Sequence, residues 1–293
     1  MKLNGLVLTL ALLLLLTGCG LTPPPAPVET VNPYAGLVQA ESGYGTKIWV
    51  KEYEDVPVNP LREVSLTDAD TVTDETGQRY TLRTGIDVSE HQGAIDWALL
   101  AQDAPDFVMI RAGYRGYGEA GKLCIDSWFH ENLEGALSNN IPVGLYFFSQ
   151  AITPEEAREE AEFVLFLLTG YRPGDISLPI FFDWEDIDFD NARTDGLDGN
   201  TLTDCAAAFC ECLLEAGYEA GIYTYRSLGY FSYDLSRIKD YPLWIGALGS
   251  CPDFYYRFDI WQYSAVGTVP GFEGEVDMDL IFVPEGDTGS TGS

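Results

Sequence analysis

Eight short apolar segments recur along the chain from residue 85 to residue 283, and helix-like stretches separate the first five of them. They read GIDVS, FVMIRAG, PVGLYFFS, LPIFFDWE, GIYTY, PLWIGAL, DIWQYS and VDMDLIFV. Apolar runs joined by crossovers are typical of parallel strands buried on both faces of a sheet, and eight such strands can close into a barrel. The later connections are too short for full helices. The sequence therefore predicts an α/β fold, an irregular (β/α)8-type barrel with fewer helices than strands.

The segments outside the barrel differ from it in composition. The stretch LTPPPAPVETVNP is rich in proline, which favours an extended spacer. The next fifty residues are polar with strand-like pieces, and the tail PEGDTGSTGS has the composition of a disordered segment. We therefore expect a lipoprotein signal peptide at 1–18, a lipidated cysteine and linker at 19–33, an N-terminal extension with a small β element at 34–83, the barrel at 84–283, and a disordered tail at 284–293.

The N-terminus carries an export signal. Lys2 precedes an apolar run at residues 6–16, which is too short to span a bilayer and has the length of a signal-peptide core. The tetrapeptide LTGC that ends at Cys19 resembles the lipobox of bacterial lipoproteins, in which the cysteine is lipidated. We expect an exported protein anchored through Cys19 to the outer face of the cytoplasmic membrane.

The chain is strongly acidic, with a formal net charge of −30 and a pI near 4.1 over its 293 residues. A surface of this sign repels phosphate groups, so we expect no nucleic-acid partner. The five cysteines after Cys19 form no paired CxxC spacing, which argues against a zinc ribbon and a full disulfide framework. Cys205, Cys210 and Cys212 lie in a helix-like stretch, where we expect buried free thiols.

Acidic residues recur at the strand ends, where active sites of barrels are built. Asp87 lies in the first strand, Asp183 and Glu185 end the fourth, and Asp277 begins the last. Residues two apart in a strand face the same side, about 6–7 Å apart along the backbone. Burial of several carboxylates together raises the proton affinity of at least one, which produces an acid able to protonate a leaving oxygen.

Strand-end acids can also have a structural role, because they cap helices or pair with arginines. We expect that role for Asp96, Asp106, Asp188 and Asp190, and we expect Asp279 to face outward. Asp183 and Glu185 lie among hydrophobic residues, where an ionised side chain is costly in free energy. For these two acids we therefore favour a catalytic role over a structural one. Arg111 is the expected structural partner of one of these acids.

The chain has two histidines, His91 and His130, and neither has a second histidine at ligand spacing. A histidine-rich zinc site or a serine triad is therefore poorly supported, and we expect no metal and no cofactor. A metal-dependent hydrolase in which the aspartates bind the ion remains an alternative, since oxygen-rich sites suit Mg²⁺ or Ca²⁺.

Aromatic residues also occur near the strand ends and could stack on sugar rings. Six stand at such positions, and we expect about half of them to contact substrate: Tyr146, Phe148, Tyr223, Tyr225, Trp244 and Trp261.

Several blocks, in this order and spacing, resemble the glycoside hydrolase family 25 lysozymes, the Chalaropsis-type muramidases. The blocks are GIDVSEHQGAIDW, FVMIRAGY, IPVGLYFFS, FFDWE, GIYTY, PLWIGALG and DIWQYSAVGTVPGFEGEVDMDLIF. The likeness covers roughly residues 85–282. It implies a β/α barrel with fewer helices than strands and cleavage of the β-1,4 bond between N-acetylmuramic acid and N-acetylglucosamine in peptidoglycan. We expect the protein to act as a monomer on peptidoglycan glycan strands.

The resemblance also implies roles for individual residues. Glu185 matches the general acid and base, Asp183 takes the supporting place, and Asp87 and Asp277 match the other two acids. The expected substrate-binding set is Arg111, Tyr146, Phe148, Tyr223, Tyr225, Trp244 and Gln262. The family is described as retaining, with either the substrate's acetamido oxygen or a carboxylate as nucleophile. The alternative is a catalytically inactive, glycan-binding barrel at the cell surface.

Overall fold

The computed structural model describes residues 32–64, 70–103 and 105–286. The expected signal peptide at 1–18, the lipidation site Cys19, most of the linker at 19–33 and most of the tail at 284–293 lie outside these residues. The chain from Gly36 onward forms one compact unit, and of the unit before it, Met1–Ala35, only residues 32–35 are described. In the described part of the chain, no helix has the length and apolarity needed to cross a membrane.

The described residues contain twelve strands. In chain order they are β1 (Leu37–Glu41), β2 (Lys47–Lys51), β3 (Thr71–Thr73), β4 (Arg79–Val88), β5 (Phe107–Arg115), β6 (Leu123–Ile125), β7 (Val143–Ser149), β8 (Ile180–Trp184), β9 (Ala220–Tyr225), β10 (Leu243–Gly246), β11 (Ile260–Gly267) and β12 (Val276–Pro284). Eight of them close into a barrel in the order β4-β5-β7-β8-β9-β10-β11-β12, with β12 pairing back onto β4. The prediction of a barrel is confirmed.

The last barrel strand differs from the expected parallel arrangement, because β12 runs antiparallel to both β11 and β4. The reason is the connection before it. Only residues 268–275 join β11 to β12, whereas a parallel crossover needs a dozen or more residues. The chain therefore turns straight back.

Six α-helices are present in the described ranges, and three of them exceed six residues. In chain order they are α1 (Trp97–Leu100), α2 (Phe129–Ser138), α3 (Pro154–Leu167), α4 (Gly199–Glu215), α5 (Arg226–Phe231) and α6 (Leu235–Ile238). The N-caps follow from the sequence: the Thr153 side chain accepts a hydrogen bond from the backbone of Glu156 (3.2 Å) and Pro154 opens α3. The expected excess of strands over helices is confirmed.

The barrel strands are buried on both faces, so the core has two layers. The layer inside the barrel includes Phe181 of β8, while the neighbouring Phe182 packs outward against Phe209 of α4 (ring centroids 5.4 Å apart). Strand alternation then returns Asp183, the next residue but one after Phe181, to the inner side. The five cysteines of the described residues are all free, and those of α4 are buried as expected.

The N-terminal extension packs along the outside of the barrel. Strands β1 and β2 form an antiparallel hairpin, and β3 pairs with the first residues of β4. The expected boundary between residues 83 and 84 falls inside β4. The Asn59 side chain donates hydrogen bonds to the carbonyls of Pro252 (2.6 Å) and Phe254 (2.9 Å), which lie between β10 and β11. These long-range bonds fix the extension on the barrel.

Candidate active site

A cavity of about 470 Å³ opens at the carboxyl ends of the parallel barrel strands. All eleven side chains predicted for catalysis or substrate binding line it, namely Asp87, Arg111, Tyr146, Phe148, Asp183, Glu185, Tyr223, Tyr225, Trp244, Gln262 and Asp277. The sequence did not single out six other lining residues as site residues, which are Ser89, His91, Gln92, Gly246, Leu248 and Ala265. Another cavity, of about 320 Å³, borders the first residues of β10 and contains none of the predicted side chains.

Two pairs of neighbouring acids form the centre of the cavity. Asp183 is the penultimate residue of β8 and only 5% exposed, and Glu185 lies one alternation further toward solvent. Across the barrel, Asp277 of β12 is the register partner of Asp87 of β4. Strand pairing and strand alternation thus bring four carboxyl groups to one mouth.

Burial raises the pKa of Glu185 to about 7. Contact with the hydroxyl of Tyr223 opposes this rise, and the negative charges of Asp277 and Asp186 add to it. A carboxyl group with this pKa holds its proton for a large part of the time at neutral pH. Glu185 can therefore donate a proton to a bound oxygen atom.

The deeper acids hold protons more strongly. Burial, followed by the charges of Asp277 and Glu185, raises the pKa of Asp87 to about 8, against a hydrogen bond from Gln262. The pKa of Asp183 lies well above its ordinary value because of burial and the charge of Glu185. One oxygen of Asp183, Oδ1, is buried and has no hydrogen-bond partner among the residues that the structure describes. Because burial disfavours ionised carboxylates and neighbouring negative charges add to this effect, the cluster retains protons at neutral pH.

A chain of hydrogen bonds positions Asp87. The Tyr223 hydroxyl donates to Oε1 of Gln262 (2.8 Å), and Nε2 of Gln262 donates to Oδ2 of Asp87 (2.8 Å). These three residues come from β9, β11 and β4, so the bonds join strands on different sides of the mouth. The accepted bond at its carbonyl orients the amide of Gln262 toward the aspartate.

Asp279 is a member of the cluster that the sequence interpretation placed wrongly. It faces the barrel interior, fully buried, and Nε1 of Trp244 donates a hydrogen bond to its Oδ1 (2.8 Å). Burial and the charge of Asp87 hold its pKa well above the ordinary value. The available signal was the spacing, because residues two apart in a strand share a face and Asp277 was already assigned to the mouth.

Arg111 has different partners from those expected. Its Nε donates to Asp126 (2.7 Å) and its Nη2 to Glu90 (3.0 Å), rather than to any of the predicted catalytic acids. Its positive charge still opposes the rise in the pKa of Asp183. Arg111 therefore joins β5 to the segment after β4 and also contributes a positive potential to the cavity.

The predicted aromatic residues divide by depth. Tyr146, Tyr223 and Trp244 are nearly buried and pack edge to face, with Trp244 5.8 Å from Tyr146 and 4.8 Å from Tyr223 between ring centroids. They form the floor of the cavity. Phe148 and Tyr225 are more exposed and stand at its rim.

Trp261, the one candidate aromatic residue that the expected substrate-binding set leaves out, does not line the cavity. Its ring is fully buried and stacks on Phe282 (6.3 Å between centroids), while its Nε1 donates to the carbonyl of Ala247 (2.8 Å). Among the residues that the structure describes, no three acidic, histidine or cysteine side chains are arranged to hold a metal ion.

The family model for "Glycosyl hydrolases family 25" matches residues 86–272, which is more than half of the chain. The match runs from the last three residues of β4 through β11 and contains three of the four central acids. The chain therefore belongs to glycosyl hydrolase family 25. No curated protein matches the sequence.

Solved structures share the fold at low sequence identity. The spore cortex lytic enzyme SleM of Clostridium perfringens is 24% identical, with a TM-score of 0.56 over 68% of this chain and 67% of that one. The autolysin LytC of Streptococcus pneumoniae, solved with a synthetic peptidoglycan ligand, is 23% identical, with a TM-score of 0.59 over 84% of this chain and 56% of LytC. The bacterial lysozyme of Streptomyces coelicolor is 23% identical, with a TM-score of 0.55 over 68% and 91%.

Proposed function

We propose that this protein is a muramidase that hydrolyses the β-1,4 bond between N-acetylmuramic acid and N-acetylglucosamine in peptidoglycan. The observation that carries the proposal is the position of Glu185, a carboxyl group with a pKa of about 7 at the mouth of a four-acid cluster. Membership of the glycosyl hydrolase family supports it. The printed descriptions of SleM as a lytic enzyme and of LytC with a peptidoglycan ligand agree with it.

In the proposed reaction, Glu185 donates its proton to the bridging glycosidic oxygen while the bond from that oxygen to the anomeric carbon breaks. Asp87 and Asp183 hold protons and can donate hydrogen bonds to the substrate, and the more exposed Asp277 is the acid placed to stabilise, when ionised, the positive charge that develops on the sugar ring. The Glu185 carboxylate then takes a proton from the water that adds to the anomeric carbon.

Replacement Glu185→Gln tests the assignment. The amide keeps the shape of the side chain but has no acidic proton, so release of reducing ends from peptidoglycan should fall by roughly 10²- to 10⁴-fold. In the unmodified protein, the rate should decline as pH rises through about 7, where Glu185 loses its proton. The measurement is a reducing-end assay with mass spectrometry of the products.

Glu211→Gln is the matched control, because Glu211 is exposed on α4. It should keep full activity. Full activity in Glu185→Gln would contradict the assignment, and binding of muropeptides without turnover by the unmodified protein would favour a glycan-binding barrel. Loss of activity on exhaustive chelation would indicate a metal-dependent reaction.

We also propose that the protein is exported and anchored by a lipid at Cys19. The sequence around Cys19 supports this, since the apolar run at residues 6–16 ends at the LTGC tetrapeptide. A Cys19→Ala variant should move from the membrane fraction to the soluble fraction and lose incorporation of labelled fatty acid. Unchanged fractionation and labelling of that variant would disprove the anchor, while Cys251→Ala, far along the chain, should behave like the unmodified protein.

A further inference from the structure

We propose that the turn of the β1–β2 hairpin forms an additional saccharide-binding site beside the active site. This additional site binds sugar units of the glycan strand that lie at a distance from the cleaved bond. This proposal rests on the proposed function, because it assigns the site to the same polymeric substrate. The hairpin lies outside the region that matches the family model, residues 86–272. The site is thus an addition to the barrel from the N-terminal extension.

The first observation is a cavity of about 310 Å³ that adjoins the catalytic cavity. The hairpin turn contributes Tyr44 to one of its walls, and the barrel contributes the opposite wall. Tyr225, Gly246 and Leu248 line both this cavity and the catalytic one. The two cavities are therefore neighbours along Tyr225, and a chain of sugars that leaves the catalytic mouth past this residue can continue over the second cavity.

The second observation is that the hairpin turn is held against the barrel. Gly43 has a left-handed backbone with φ of 86°, and a Cβ atom at this position would collide with the guanidinium of Arg226, so the turn and Arg226 are in close contact. Arg226 is fixed in turn by an ion pair with Asp253. Inside the turn, the Ser42 and Thr46 hydroxyls share a hydrogen bond of 2.8 Å.

The base of the hairpin is also fixed. The hydroxyl of Tyr256 donates to the carbonyl of Lys51 (2.5 Å) and accepts from the backbone of Tyr53 (3.1 Å). Since Tyr256 is buried in the barrel core, the strand that leads out of the turn cannot swing away without breaking core contacts. The backbone at Tyr44 is therefore held in one position. Less conformational entropy is lost when a ligand binds there than when binding must order a loop.

The third observation is the chemistry of the cavity wall. The Tyr44 side chain is 92% exposed and Leu248 is 55% exposed, although both are large and partly apolar. Tyrosine offers an apolar ring face together with a hydroxyl group, a combination that suits the carbon–hydrogen faces and hydroxyls of a sugar. Tyr225, which the two cavities share, has the same character and is held by a hydrogen bond to Asp186 (3.0 Å).

The test compares glycan fragments of increasing length made of alternating N-acetylglucosamine and N-acetylmuramic acid. Tyr44→Ala should raise KM roughly 5- to 10-fold for the longest fragments, as expected for loss of one aromatic contact. It should leave kcat and the KM of the shortest cleavable fragment unchanged. Phe166→Ala is the matched control, because Phe166 is an exposed aromatic residue on α3 away from both cavities.

Binding of the same fragments to the Glu185→Gln variant, measured by calorimetry with and without Tyr44→Ala, separates this proposal from the proposed function. Weaker binding of long fragments alone supports the saccharide site even if the unmodified protein cleaves nothing, a result that would contradict the muramidase proposal only. Equal losses for short and long fragments, or no loss for either, would overturn the saccharide site. Thermal unfolding of Tyr44→Ala should match that of the unmodified protein, since the side chain is exposed.

Discussion

At the scale of the residue, burial sets the protonation of the active site more than ion pairing does. Arg111 lines the cavity, yet its side chain donates hydrogen bonds to Asp126 and Glu90. Both of its ion pairs therefore lie outside the acid cluster. Burial is the largest cause of the raised pKa of each acid in that cluster. Glu185 thus holds a proton near neutral pH because it directly follows β8 and is largely buried there.

The buried carboxyl of Asp279 should make stability depend on pH. An aspartate in the unfolded chain ionises near pH 4, whereas the pKa of Asp279 in the folded protein lies well above that. Between these values the folded protein holds a proton that the unfolded chain has lost, so the free energy of unfolding falls as pH rises. The side chain of an Asp279→Asn variant cannot ionise, so the variant should be more stable at pH 8. Its melting temperature should rise by about 2–4 °C for each 1 kcal/mol gained in the free energy of unfolding.

Melting curves at pH 4 and pH 8 measure this effect. The variant and the unmodified protein should differ much less in melting temperature at pH 4 than at pH 8, because the carboxyl group is then protonated in the folded protein and about half protonated in the unfolded chain. Asp240→Asn, an exchange at an exposed position, should show no gain at either pH. A variant Asp279→Asn that is less stable at pH 8 would show that the carboxylate, rather than the acid, is favoured in the fold.

The residues of the site were largely predictable from the sequence. Asp87 and Asp183 could be placed because they lie near the carboxyl ends of apolar runs, and the carboxyl ends of parallel barrel strands meet at one mouth. Asp277 begins its run and reaches the same mouth because β12 is antiparallel to β4. The sequence left open whether Trp261 lines the cavity, because an apolar run buried on both faces does not indicate which face lies inside the barrel. The partners of Arg111 come from segments that follow other strands, so they depended on contacts that a local pattern does not contain.

At the scale of the element, the apolar runs located the barrel strands but not their direction. Strand β12 has the same apolar pattern as its neighbours, and only the short connection after β11 indicates that it turns back. The N-terminal hairpin was harder to place. Its strands, LVQAE and KIWVK, are mostly exposed or half-buried, and its position depends on contacts with Tyr256 and Arg226 more than 170 residues later in the chain.

At the scale of the whole molecule, the net charge of −30 opposes the approach to an anionic cell wall. Salt weakens repulsion between exposed charges, with a screening length of about 10 Å at 0.1 M. We therefore expect the rate of hydrolysis of intact walls to increase between low and moderate salt. The measurement is the release of reducing ends from wall suspensions over a series of sodium chloride concentrations.

Short, uncharged glycan fragments are the control for this effect, and their hydrolysis should change little with salt. A flat or falling response on intact walls would contradict an electrostatic barrier. A lipid anchor would offset the same barrier, because tethering raises the local concentration of enzyme near its substrate.

The reversed direction of β12 fixes the side of the barrel on which this strand ends. Asp277 pairs with Asp87 beside the cavity, whereas Pro284, at the other end of the strand, pairs with Tyr80 at the opposite end of the barrel. A reporter domain or a surface linker joined after residue 286 would therefore start on the side away from the cavity. An immobilised form attached in this way would present its cleft outward, toward an insoluble polymer.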